Sequence, residues 1–166
     1  LGVPFDAIRY VAHDTDRVKA GGGSHSGRSM RIASLAVGEA TDKIVAKGKR
    51  IAAHLLQAQE SDVTFARGVF TAKGASVGIF DVARAARENT DLPQDLRGVF
   101  GADGDVTINQ GAFPSGTHIC EVEIDAQTGE VEIVQWYGVD DVGLAINPLI
   151  LHGQTHGAVA QGAGQA

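Results

Sequence analysis

Cysteine is almost missing from this chain: one of its 166 residues, Cys120, is a cysteine, so no internal disulfide can form. A reducing, cytoplasmic setting is the simpler expectation. Aromatic residues are sparse at 5%, with a single tryptophan, Trp136, and there are four prolines. Positive charge is short as well: 14 Lys and Arg stand against 20 Asp and Glu, a formal net charge of -6. That balance argues against nucleic acid or an anionic membrane surface as a partner. No run of about 18 apolar residues occurs, so no membrane-spanning helix is expected. No secretory signal pattern opens the chain. What is present is 43% hydrophobic residues, a mean hydropathy of -0.01 and 22 glycines. This content suits one compact domain with a real core. The chain starts at Leu1 and ends inside an Ala/Gly/Gln pattern without a stop signal, so the expectation is a single partial domain over 1–166, cut from a longer polypeptide.

Hydrophobic periodicity gives the coarse architecture. Ile8 to Ala12 reads as a short strand, and His13 to Lys19 as a polar connection. A loop of small residues, Ala20 to Ser29, precedes apolar positions at helical spacing from Met30 to Leu56, which predict a long helix from about Ser29 to Gln59. Glu39 and Lys43 are spaced to pair across one turn of it. Val63 to Thr71 reads as a hairpin turning near Ala66 to Gly68, and Ser76 or Gly78 opens a shorter helix to about Asn89. Val106 to Asn109 is a weak strand. Thr117 to Asp125 alternates clearly, with Cys120, Val122 and Ile124 on one side. Glu130 to Asp140 returns with Val131, Ile133, Tyr137 and Val139 on one side, giving a hairpin with one buried face. A glutamine- and glycine-rich helix follows at about 149–166. The fold class is α+β: hairpins packed on a long helix, with no alternating βαβ pattern.

Two stretches could carry chemistry. A small-residue loop ahead of a helix exposes several backbone N–H groups to one point, where the helix dipole favours an anion. Ser24, Ser26 and Ser29 add hydroxyls, and Arg28 adds a fork suited to phosphate. No Gly-Lys-Ser/Thr follows, so this is no Walker loop; a plain turn and helix cap is the competing reading. In the last helix, Gln154, Ala158, Gln161 and Gln165 share a stripe, and such amides could bond a polar heterocycle. The competing reading is a buried helix whose amides cap neighbouring loops. His152 and His156 have the spacing of metal ligands, but no third ligand is evident and the Glu of HExxH is absent. Asp140 and Asp141, beside Gly143 and Asn147-Pro148, are read as fixing a turn. Glu121, Glu123, Glu130 and Glu132 are read as an exposed hairpin face.

Taken in order, DTDRVKAGGGSHSGRS, then GAFPSGTHICEVEID, then AQTGEVEIVQWYGVDDVGLAINPLILHGQTHGAVAQGAGQA resembles the molybdopterin-binding large subunit of the xanthine dehydrogenase / aldehyde oxidase / aerobic carbon-monoxide dehydrogenase family, in its C-terminal half. The segment from Asp140 to Gln165 is the most specific; the stretch between about Gln59 and Asp105 carries little. The resemblance implies a cofactor-binding part of a molybdenum hydroxylase that oxidises an aldehyde, an N-heterocycle or carbon monoxide with water as oxygen source. It implies molybdenum on a pterin, in the cytosine dinucleotide form, and iron-sulfur clusters and FAD on partner subunits. By position, Ser26, Gly27, Arg28 and Ser29 would line the pterin or its phosphate, Gln154 would contact the pterin, and Asp14 and Asp16 would shape the loop. The chain departs from the family where Ser26-Gly27 replaces Gly-Ser, where His25 replaces a small residue, and at Gly157-Ala158, which leaves the individual donors open.

The family's upstream Gln-Gly-x-Gly-His segment and its Gly-x-Gly-Glu-Ala-Gly segment, which carries the catalytic glutamate, have no counterpart in this reading. The expectation is therefore no catalytic residue, no protein metal ligand, no cofactor retained by the chain alone, and no activity in isolation. Expected partners are the remainder of the large subunit, an iron-sulfur subunit and an FAD subunit. The last helix is expected to be disordered or to self-associate with a second copy. Two alternatives stand beside this reading: a non-catalytic docking domain that binds a partner through its glutamine/glycine helix, and a zinc enzyme using His152 and His156.

Overall fold

The computed structural model describes residues 1–12, 14–18 and 20–165. His13 and Lys19, the ends of the expected polar connection, and Ala166, the end of the expected last helix, lie outside the described residues. The chain divides into two compact units, Leu1–Asn109 and Gln110–Ala166.

In the first unit a long helix, α1 (Arg28–Leu55), is followed by three short strands, β1 (Thr64–Ala66), β2 (Val69–Ala72) and β3 (Ala75–Gly78), and a second helix, α2 (Ile79–Glu88). The strands form an antiparallel meander in the order β1-β2-β3. Both connections are two-residue turns, Arg67-Gly68 and Lys73-Gly74, with φ positive at all four positions (47°, 81°, 50° and 78°). That is the backbone of the tight hairpin turn whose twist matches the strands, and it places Gly at the second position. The second turn makes β3 a strand where the sequence pattern had only a helix start at Ser76 or Gly78.

The core is small and lies where α1, α2 and the meander meet. Phe70, Ile51, Val82, Ala52, Ala86 and Leu92 are all fully buried. Gly48 is part of the same contact: a Cβ on it would stand 2.3 Å from the Phe70 ring, so the ring lies directly on the α1 backbone. Burial on α1 is concentrated in its second half, at Gly48, Ile51, Ala52 and Ala53, whereas Met30, Leu35 and Val37 near its start are exposed. The helical period was legible; which half of the helix is covered was not.

Two expected strands are absent. Ile8 to Ala12 is irregular, and no described strand pairs with it. Val106 to Asn109 continues an extended segment whose residues alternate between half-buried and exposed, but its neighbour is a helix. Lys47 Nζ donates to the Val99 carbonyl at 3.0 Å, Lys43 Nζ to the Asp103 carbonyl at 3.0 Å, and the Asp105 N–H donates to Glu39 Oε2 at 2.8 Å. Glu39, Lys43 and Lys47 stand one helical turn apart, so one face of α1 ties down an extended chain that has no strand ladder. The Glu39–Lys43 pair itself forms, at 2.8 Å.

The second unit is a long antiparallel hairpin, β4 (Ser115–Ile124) and β5 (Val131–Asp141), followed by α3 (Pro148–Ala163). Asp125 starts the turn between the strands. Its Oδ1 accepts the N–H groups of Gln127 and Thr128 at 2.7 and 2.9 Å, and Gly129 takes φ 73°. Asn147 caps α3, its side chain accepting from the Ile150 N–H, and Pro148 occupies the first turn where its missing N–H costs nothing. Together the two units are α+β, and among the described residues no helix is long and apolar enough to cross a membrane.

The hairpin does not have the faces expected of it. The register runs Glu121↔Gln135 and then Val122↔Ile133, which leaves Val134 as an extra residue in β5. A bulge of this kind reverses the alternation beyond it. Val131 and Ile133 therefore share a face with Cys120, Val122 and Ile124, but Tyr137 and Val139 fall on the opposite face with Ile119. Neither face is buried: every residue of both strands is exposed except the half-buried Trp136.

Candidate functional site

The small-residue loop runs directly into α1, as its composition implies. Ser26 and Gly27 both have positive φ, 50° and 67°, so the chain turns sharply just before Arg28. Gly27 stands at the cap position without a side-chain cap. The Arg28 N–H is bonded to the His25 carbonyl at 2.8 Å and the Arg31 N–H to the Gly27 carbonyl at 3.2 Å. Between them, among the described residues, the N–H groups of Ser29 and Met30 have no acceptor. These are the unpaired donors that every helix start carries, at its electropositive end.

Arg28 folds back over the loop. Its Nη1 donates to the Gly23 carbonyl at 2.8 Å, and a Cβ on Gly22 would stand 2.4 Å from Nη2. The glycines thus leave room for the guanidinium to close the loop on itself, with its remaining N–H groups still to be matched. Asp14 organises its own turn ahead of the loop: its Oδ1 accepts the Asp16 N–H at 3.0 Å, and its carbonyl accepts from Arg17 and Val18. The free amides, the hydroxyl of Ser29 and the Arg28 charge form a donor set that fits an anionic phosphate group.

Ser26, Gly27, Arg28 and Ser29 therefore stand together on one loop of the first unit, while Gln154 is on α3 of the second. Gln154, Gln161 and Gln165 are exposed, and the half-buried positions of α3 are Leu151, Thr155, Val159 and Ala163. The rings of His152 and His156 are 6.3 Å apart, and among the described residues no group of three His, Cys, Asp or Glu side chains is placed to hold a metal ion.

One cluster escaped the sequence reading. On the hairpin face that carries Trp136, Gly138 and Asp140, the Trp136 indole N–H donates to His118 Nδ1 at 3.0 Å. His118 Nε2 lies 2.9 Å from Asp140 Oδ1, and the Thr155 hydroxyl donates to Asp140 Oδ2 at 3.2 Å. Asp140 is thus a link from hairpin to α3 and not a turn former; that role falls to Asp141, whose Oδ1 accepts the Gly143 N–H at 2.9 Å. The available signal was His118 opposite Gly138, which required the bulged register.

The hydrogen bond from His118, then that from Thr155, hold the Asp140 carboxyl below the usual aspartate range, and the Thr128 and Gln127 N–H groups do the same for Asp125. A carboxylate whose value is depressed on folding adds stability that is present above its unfolded value and lost as pH falls through the folded one. Both links should therefore persist to below about pH 4. Carboxyl resonances of Asp125 and Asp140 followed through an acid titration should show midpoints under the ordinary aspartate value; midpoints at or above it would contradict these bonds.

Comparison with known proteins joins these observations. The model of the molybdopterin cofactor-binding domain matches residues 1–166. The carbon monoxide dehydrogenase large chain of Hydrogenophaga pseudoflava is 33% identical over 98% of this chain and 20% of its own length. The nicotine 6-hydroxylase large subunit of Paenarthrobacter nicotinovorans is 32% identical over 99% of this chain and 21% of its own. The chain thus spans about a fifth of the length of the curated relatives it matches. Among solved structures, Cu,Mo-CO dehydrogenase in its carbon monoxide reduced state superposes with a TM-score of 0.79 at 32% identity, covering 95% of this chain and 20% of that one. Quinoline 2-oxidoreductase from Pseudomonas putida 86 does so with 0.70 at 28% identity, covering 87% and 19%. The glycine loop closed by Arg28, the bulged hairpin and the glutamine helix are thus placed in a known setting: the chain belongs to the molybdopterin cofactor-binding domain family, the family its motifs resemble.

Proposed function

We propose that this chain contributes part of the pterin-binding surface of the large subunit of a molybdenum hydroxylase. The observation that carries the reading is the pair of free N–H groups at Ser29 and Met30, at the mouth of a loop closed by Arg28, in a chain matched by the family model from end to end. Ser26 and Gly27 set the sharp turn that aims these donors; Ser29 and Arg28 add a hydroxyl and a fixed positive charge for a phosphate. Gln154 offers an amide that both donates and accepts, suited to the edge of a pterin ring. When bound, the molybdenum cofactor, in the cytosine dinucleotide form, supplies the redox chemistry by which an aldehyde, an N-heterocycle or carbon monoxide is oxidised with water as the oxygen source.

Partner subunits carrying iron-sulfur clusters and FAD would accept the electrons, and the complex would be cytoplasmic. The names of the relatives, which cover carbon monoxide, nicotine and quinoline, support the carbon monoxide and N-heterocycle parts of this range. By itself the chain is inactive and self-associates through α3. Its sequence contains no Gly-x-Gly-Glu-Ala-Gly segment. The nearest run, Gly38-Glu39-Ala40, lies inside α1, with Glu39 engaged by Lys43 and the Asp105 N–H.

Titration of inorganic phosphate into the 166-residue chain tests the anion cradle. The amide resonances of Ser29 and Met30 should shift saturably while those of α2 stay still. If they do not move at concentrations where millimolar binding would be complete, the loop is a plain helix cap.

A further inference from the structure

The His118 cluster is built by an unusual reciprocal arrangement of the two strands. Gly116-Thr117-His118 on β4 runs against Gly138-Val139-Asp140 on β5, in the register Gly116↔Asp140 and His118↔Gly138. Each polar side chain lies over the glycine opposite. A Cβ on Gly138 would stand 2.7 Å from His118 Cε1, and one on Gly116 would stand 2.3 Å from Asp140 Oδ1. The two glycines make the space in which the imidazole and carboxylate meet side by side.

The proton positions follow from chemistry. An indole nitrogen is a donor only, so His118 must accept at Nδ1 and carry its proton on Nε2. That proton points at Asp140 Oδ1, which leaves Oδ2 for the Thr155 hydroxyl. The order Trp136, His118, Asp140, Thr155 is therefore one directed chain from the middle of the hairpin to α3. Among the described residues, the Thr155 bond is the one hydrogen bond between α3 and the hairpin.

We propose that His118 and Asp140 are positioning residues that set the rotation of α3 through Thr155, and so fix where Gln154 stands. The inference rests on the reading of Gln154 as a pterin contact. α3 is rich in residues with little to interlock: Gly153, Gly157, Ala158, Ala160, Gly162 and Ala163. Against the two strands its packing is slight, so the ridge formed by Leu151, Thr155 and Val159 does little to seat it there. A single directed bond then decides its rotation, and Gln154 lies about 100° round the helix from Thr155. With Thr155 held to Asp140, Gln154 is turned away from the hairpin, where it is exposed.

The test uses the full-length large subunit in its complex, with Thr155→Val, Thr155→Ser and Gln154→Ala. Hydrogen exchange of the α3 segment and molybdenum content per subunit are read in parallel. Thr155→Val removes the hydroxyl at constant size; it should speed α3 exchange about five-fold and lower molybdenum content about three-fold. Thr155→Ser keeps the hydroxyl and should restore both. Unchanged α3 exchange in Thr155→Val overturns the proposal. So does faster exchange with full molybdenum content, provided Gln154→Ala loses molybdenum. If Gln154→Ala itself keeps its molybdenum, the pterin contact of Gln154 is wrong, and α3 exchange alone decides whether the clamp positions the helix.

Discussion

Replacing Phe70 with Ala should lower the stability of the first unit by about 3–5 kcal/mol, the usual cost of emptying a fully buried aromatic site. The site cannot collapse cheaply. Phe70 is 0% exposed, its ring centroid is 4.5 Å from that of Phe65, and the α1 backbone already touches it at Gly48. With a denaturant slope of about 1–3 kcal/mol per molar urea, the midpoint followed by far-UV circular dichroism should fall by more than about 1 M. A double-mutant cycle sharpens the test. Gly48→Ala should destabilise the natural chain, because its methyl meets the ring, and should be neutral or favourable in the Phe70→Ala background, where the ring is gone. Additive effects would mean that the two residues are not in contact.

In the full-length subunit, Arg28→Ala should reduce cofactor retention by about 10- to 100-fold, the equivalent of one charge-assisted bond worth about 1.5–3 kcal/mol. The guanidinium has two roles. It closes the loop through the Gly23 carbonyl, and its remaining N–H groups would be available to a phosphate oxygen. Arg28→Lys should not restore retention, because an ammonium cannot bridge the carbonyl and a phosphate in the planar geometry of the fork. The melting temperature should change little, since the loop is exposed and the nearest core residue on α1 is several turns away. Molybdenum per subunit and thermal melting, measured on the same preparations, check both halves. Full molybdenum content with a much earlier melt would make Arg28 a purely structural residue.

What the sequence made legible follows the range of the forces involved. The helix over Arg28–Leu55, the Glu39–Lys43 pair, the Arg67-Gly68 turn and the Asn147-Pro148 helix start are local, set by residues within a turn or two of each other. Their positions could be read from spacing and side-chain chemistry. The misread features depend on partners distant in sequence. Val106 to Asn109 has the alternation of a strand, but its backbone and neighbours are held by Glu39, Lys43 and Lys47, and nothing local to the segment announces that. The bulge at Val134 moved Tyr137 and Val139 to the other face and brought Trp136 and Asp140 onto the face of His118. A one-residue offset of this kind is invisible to a simple period of two. The placement of Ser26 to Ser29 at a helix start was legible, because the run of small residues stops where the helical period begins. The Asp140–Thr155 link was not, because it joins a strand to a helix across a turn.

The structure of the cofactor-loaded full-length subunit tests the proposed contacts of Ser29, Met30 and Gln154. Polar atoms of the cofactor should lie within hydrogen-bond distance, about 2.7–3.2 Å, of the Ser29 or Met30 N–H and of the Gln154 amide. A cofactor bound out of hydrogen-bond reach of all three would show that these groups do not hold it.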